Sequence, residues 1–163
     1  MPKLTASLNW LASVCAILAG MFLTAITLMT CLSIIGREVF GRPITGDFEL
    51  SGVAAGAAIA LFMPLCQMRR GNFIVDFFTT PCSPKTIQWL DRFGAFVLAV
   101  CFTILAWRTG VGGLNAFQSA SGTMILGFPE WVTYAFMVPA FALASTIALS
   151  QSLGLIGEER LGL

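Results

Sequence analysis

A chain of 163 residues that is 57% hydrophobic and 10% charged, with a mean hydropathy of +0.87, does not make an ordinary soluble domain. Its net charge of +1 offers nothing basic enough for nucleic acid, and the absence of histidine removes the imidazole ligands of a four-helix membrane cytochrome or of the usual zinc and copper sites. The composition is that of an all-α, polytopic membrane protein, read as one transmembrane domain over residues 1–163 with no cofactor.

Lys3 is followed by 33 uncharged residues up to Arg37. Within them residues 10–35 form the first span, longer than a bilayer needs and so tilted or projecting from it. A signal peptide has a shorter apolar region with a small-residue cleavage site, so this segment is expected to be retained. Ala16, Gly20 and Thr24 give it a small-residue face. In the connection that follows, Gly41, Pro43 and Gly46 break any helix, and Asp47 and Glu49 fall in the first turn of the next, where acids offset the helix dipole. Arg37 and Glu49 stand at facing ends of consecutive antiparallel spans, as an ion pair or as two separately solvated charges.

The second span, residues 50–68, is an uncharged run between Glu49 and the pair Arg69-Arg70; its 19 residues just suffice to cross roughly 30 Å of hydrocarbon. Gly52, Gly56 and Ala60 repeat at a spacing of four, and Glu49 heads the same stripe. Such a stripe is either a docking face, for which the first span's Gly20 face is the obvious partner, or the ordinary use of small residues in spanning helices.

Residues 71–82, with Asp76 among them, are too short to span and are expected to lie as a helix in the headgroup plane. Ser83-Pro84 restarts the chain as N-cap and first helical residue, and Trp89 is placed as an interfacial anchor. The third span, about residues 89–110, either begins near Trp89 or continues past Arg108 towards Leu114. Snorkelling of Arg108 to the surface explains that charge more cheaply than a functional buried one. Residues 110–128 read as a polar, uncharged connection, and the fourth span covers residues 131–153 with a kink expected at Pro139. The five cysteines (Cys15, Cys31, Cys66, Cys82 and Cys101) form no Cys-x-x-Cys, and four lie in apolar segments, which disfavours a membrane thiol oxidoreductase.

With four spans, six basic residues (Lys3, Arg69, Arg70, Lys85, Arg92 and Arg160) lie on one side against three (Arg37, Arg42 and Arg108) on the other. The positive-inside rule then puts both termini in the cytoplasm.

Arg37, the run Phe40-Gly41-Arg42-Pro43, Glu49-Leu50, the segment from Arg69 to Phe77, and Gly127-Phe128-Pro129 followed by Trp131 and Pro139 together resemble the small membrane subunit (DctQ type) of tripartite ATP-independent periplasmic (TRAP) transporters, over nearly the whole chain. Asn72 departs from the histidine often found there. The resemblance implies a bacterial inner-membrane protein that pairs with a large multi-span subunit, which carries substrate and sodium. A periplasmic solute-binding protein would deliver an organic acid or similar solute. Arg37, Glu49, Arg69, Arg70 and Asp76 are the candidate interface charges, with Gly20, Gly52, Gly56 and Ala60 as packing positions. The competing reading is a self-contained small exporter, which needs an embedded acid to couple protons; no span carries one near its middle.

Overall fold

The computed structural model describes residues 2–69 and 84–155. These form four helices: α1 (Pro2–Phe40), α2 (Asp47–Met68), α3 (Pro84–Gln118) and α4 (Trp131–Ser152). All four are long and apolar enough to cross a membrane. The expected interfacial helix over residues 71–82, with Arg70 and Asp76, lies outside the described residues.

The helices differ in length for reasons written in their sequences. At the helical rise, the 22 residues of α2 and of α4 span about 33 Å, close to a hydrocarbon core, whereas α1 with 39 residues and α3 with 35 extend to about 58 and 52 Å. The third helix starts at Pro84, as expected, but ends later than the expected span: residues 110–118, expected as connection, are helical. Glycine breaks helices in water, but between spanning helices it permits close approach. A Cβ on Gly113 would come within 2.8 Å of the Tyr134 Cβ, so α3 lies against α4 at this point.

The helices stand in a row rather than around a closed core: α1 packs on α2, α2 on α4, and α4 on α3, with only slight contact between α1 and α4. The two central helices have 28% of their most apolar window buried, against 11% for α1 and 17% for α3. Both central helices start at the end of the row that holds the two tight connections, so α2 and α4 run parallel. The interior is built largely of alanine: Ala12 and Ala19 on α1, Ala57, Ala58 and Ala60 on α2, Ala95 and Ala99 on α3, and Ala140, Ala144 and Ala148 on α4 are buried. Small side chains let backbones approach, which favours helix association where lipid offers no hydrophobic contrast.

Polar side chains inside the spans are satisfied locally. Thr24, Thr27 and Thr30 on α1 donate to the carbonyls of Gly20, Leu23 and Ile26, four residues back, at 2.8–2.9 Å. Thr103 and Ser145 bond each other across α3 and α4 at 2.8 Å, and Ser145 reaches the Ala99 carbonyl at 3.2 Å. α4 remains one helix through Pro139, and α2 likewise contains Pro64, which is fully buried.

The small-residue stripes do not meet. A Cβ added to Gly20, Gly52 or Gly56 would have nothing within 4 Å, and the contact between α1 and α2 runs instead through Ala19, Ala58, Ala60 and Leu61. A spacing of four turns about 40° past a full helical turn, so a stripe beginning at the exposed Gly52 rotates into the core only by Ala60. Two of its three small residues are left on the uncovered surface.

Candidate functional site

The polar groups concentrate where the two connections meet. Glu49, in the first turn of α2, accepts hydrogen bonds from the backbone N–H of Ile125 at 3.0 and 3.1 Å, one to each carboxylate oxygen, and from that of Leu126 at 3.2 Å. A carboxylate held by two main-chain donors positions a loop better than a neutral acceptor does.

The loop it holds is itself organised. Thr123 donates its N–H to the Phe128 carbonyl at 3.0 Å, accepts the Phe128 N–H on its hydroxyl at 3.1 Å, and accepts the Gly127 N–H on its carbonyl at 2.9 Å. Gly127 closes this turn with φ of +62°, a left-handed conformation that favours glycine. The tip is apolar: Met124 is fully exposed, and Ile125 and Leu126 are largely so.

The first connection is anchored beside it. Asp47 accepts from the Ser33 hydroxyl on α1 and, at 2.7 Å, from the N–H of Phe48, while the Ser33 oxygen accepts the Ile44 N–H at 3.2 Å. Gly46 has φ of +82°, and a Cβ there would stand 2.4 Å from the Leu126 side chain. Gly46→Ala is therefore expected to lower the stability of the chain by about 1 kcal/mol, through left-handed backbone strain and displacement of Leu126, as thermal unfolding in detergent would show.

The expected pairing of Arg37 with Glu49 does not form. Ser33, not Arg37, stands level with Asp47, which leaves Arg37 about one helical turn beyond the start of α2. Its guanidinium lies 4.0 Å from Glu38, with both side chains mostly exposed. Arg69 is exposed just after α2, with its N–H on the Leu65 carbonyl.

At the opposite end of the row, α2 and α4 are joined by a buried amide pair that sequence reading missed. Gln67 Nε2 donates to Gln151 Oε1, and Gln151 Nε2 donates to the Gln67 carbonyl, both at 2.8 Å. Both residues are buried, at 0% and 3% exposure. The available signal was a glutamine near the end of each of two apolar runs. Nearby, the Arg92 guanidinium approaches Gly154, which has φ of +68°, placing a cation at the negative end of the α4 dipole.

An apolar groove of about 230 Å³ lies between α1, α2 and α4, lined among others by Phe22, Met29, Val53 and Phe136. Among the described residues no group of three or more histidine, cysteine, aspartate or glutamate side chains is placed to hold a metal ion.

Four apolar helices, with polar groups engaged in fastening helix to helix and connection to connection, define a multi-pass membrane protein. Residues 26–157 match the family model for tripartite ATP-independent periplasmic transporters, DctQ component, and the chain belongs to that family: it is a small TRAP transporter subunit of the inner membrane. No curated protein and no solved structure matches it.

Proposed function

We propose that the chain is the non-catalytic scaffold of its transporter, holding a large multi-span membrane subunit that carries out sodium-coupled uptake of an organic acid or similar solute delivered by a periplasmic binding protein. The observation that carries this reading is the open row of helices. At most 28% of the residues in the most apolar window of each described span are buried, and large apolar side chains such as Ile17, Leu32, Ile104 and Leu114 stay exposed for lipid and partner to cover. A transport path needs polar groups facing a cavity, whereas the cavity between α1, α2 and α4 is lined almost wholly by apolar side chains.

The uncovered Gly52 and Gly56 belong to this proposal as docking positions, with Arg37, Glu49, Arg69, Arg70 and Asp76 as candidate interface charges. Because a Cβ at Gly56 meets open space, Gly56→Ala should leave the isolated chain as stable as before or more so, by up to about 1 kcal/mol from helix propensity. A docking role predicts that Gly56→Leu weakens recovery of the large subunit while the chain alone still folds. Unchanged recovery would remove the stripe from the interface.

Six basic residues towards one end, against Arg37 and Arg42 beside the connection at the other, support cytoplasmic termini, with the 41–46 and 119–130 connections periplasmic. Reporter fusions at Leu163 and after Ala120 should report opposite sides, cytoplasm and periplasm respectively; the reverse result would invert the assignment. The functional reading is tested in proteoliposomes holding the large subunit, the binding protein and an inward sodium gradient. Uptake should require this chain together with the large subunit, and the chain without that subunit should transport nothing.

A further inference from the structure

Arg108 is exposed on α3, and it makes no hydrogen bond or ion pair with any described residue. Its depth follows from the register of α3 on α4. Gly110 lies beside Val138 and Thr103 bonds Ser145, so Arg108 falls level with Pro139 and Ala140. The helix ends are marked by Phe117 and Trp131, whose rings meet edge to face at 5.7 Å. From that level Arg108 is nine residues, or about 13 Å, down the helix.

The expectation that Arg108 snorkels goes with a helix that continues past it only towards Leu114, whereas α3 runs to Gln118. Taking the level of Phe117 and Trp131 as the hydrocarbon edge, because α4 is about one hydrocarbon thickness long, puts the headgroup phosphates at least about 13 Å above the Arg108 backbone, farther than its side chain extends. Described acids are equally remote: Glu130 sits at the start of α4, and Asp91 is 17 residues back along α3, about 25 Å away. Around Arg108 the uncovered surface is apolar, with Ile104, Trp107, Val111 and Leu114 between 40% and 72% exposed. This helix packs on α4, at the edge of the row, and leaves that face open. An unpaired cation at this depth is costly in lipid and calls for an acceptor that none of the described residues supplies.

We propose that Arg108 binds a carboxylate of the large membrane subunit, making the outward face of α3 a docking surface; this rests on the reading of the chain as a transporter subunit. A carboxylate both cancels the charge and matches the planar fork of the guanidinium.

The test is co-purification of the chain with its cognate large membrane subunit. Wild type must retain the subunit, and its failure to do so overturns the subunit reading and this proposal with it. Arg108→Gln should lower recovery of the large subunit about thirtyfold or more, as loss of one member of a desolvated pair does, without changing the thermal unfolding of the chain alone. Arg108→Lys should keep most of the complex and, treated with a membrane-permeant carbodiimide, should become covalently joined to the large subunit. The reagent activates the partner carboxylate, the introduced amine attacks it and loses a proton, and the carbodiimide leaves as its urea; wild type, having no amine there, gives no such product. Wild-type recovery with Arg108→Gln, or an intact Arg108→Lys complex that forms no cross-link, overturns the proposal. So does native mass spectrometry showing an anionic phospholipid held by the wild-type chain alone and lost in Arg108→Gln, since a lipid would then be the acceptor.

Discussion

Replacing Glu49 by alanine will release the 121–130 loop while leaving the four helices in place. The carboxylate receives both the Ile125 and Leu126 N–H groups, and among the described residues it is their one hydrogen-bond acceptor. Hydrogen exchange at these two amides should accelerate by about tenfold or more, as expected when the bonds that close a local structure are removed. Limited proteolysis should find new cleavage between Met124 and Gly127. Glu49→Gln should fall between, because its single carbonyl oxygen can still accept one N–H while its amide group faces the other donor. Arg37→Gln should change neither reading, and the double substitution should be additive, because Arg37 stands near Glu38 and not near Glu49. Coupling between Arg37 and Glu49 would show that the pair expected from sequence forms after all.

The second large effect is expected at the amide pair. Gln151→Leu removes two hydrogen bonds at once and leaves the Gln67 amide and carbonyl without those partners in a fully buried site, at a cost of about 2 kcal/mol. Gln67→Leu should cost less, because the Gln151 amide can still donate to the backbone carbonyl at position 67. The double replacement should be milder than the sum of the two, since it puts apolar groups where an amide would otherwise have lost its partner across the helices. Thermal unfolding of the four variants in one detergent measures this coupling. Strict additivity would mean that the two glutamines do not hold α2 to α4.

How far such features can be read beforehand depends on whether their cause is local. The uncharged run from Leu50 to Met68 carries its own length and its own charged borders, and the second helix is legible from it. Asp47 and Glu49 are equally legible as first-turn acids. What each acid holds is not, because the N–H groups bound by Glu49 lie 76 and 77 residues away. Distance of the same kind concealed the glutamine pair, whose members are 84 residues apart. The end of α3 was misread for a different reason. Gly110, Gly112 and Gly113 carry the composition of a connection, and only the presence of Tyr134 opposite turns two of them into contact points. The stripe of Gly52, Gly56 and Ala60 was visible as a pattern, but a pattern on one helix does not say where its neighbours lie. That information sits in the packing order, in which Ala19 of α1 clusters with Ala58, Ala60 and Leu61 of α2.

An open row of helices makes a definite demand on the intact protein. The edge helices α1 and α3 carry large exposed apolar side chains, and the polar groups at the connection end fix loops without enclosing a path. A scaffold of this form gains its full stability only when a second membrane protein covers part of that surface. The most direct measurement is size-exclusion chromatography with thermal unfolding, comparing the chain expressed alone with the chain expressed beside its large membrane subunit. The account predicts stoichiometric co-elution and a higher unfolding temperature for the chain in the complex. A monodisperse chain that is equally stable with and without the large subunit, and that elutes apart from it, would contradict the account.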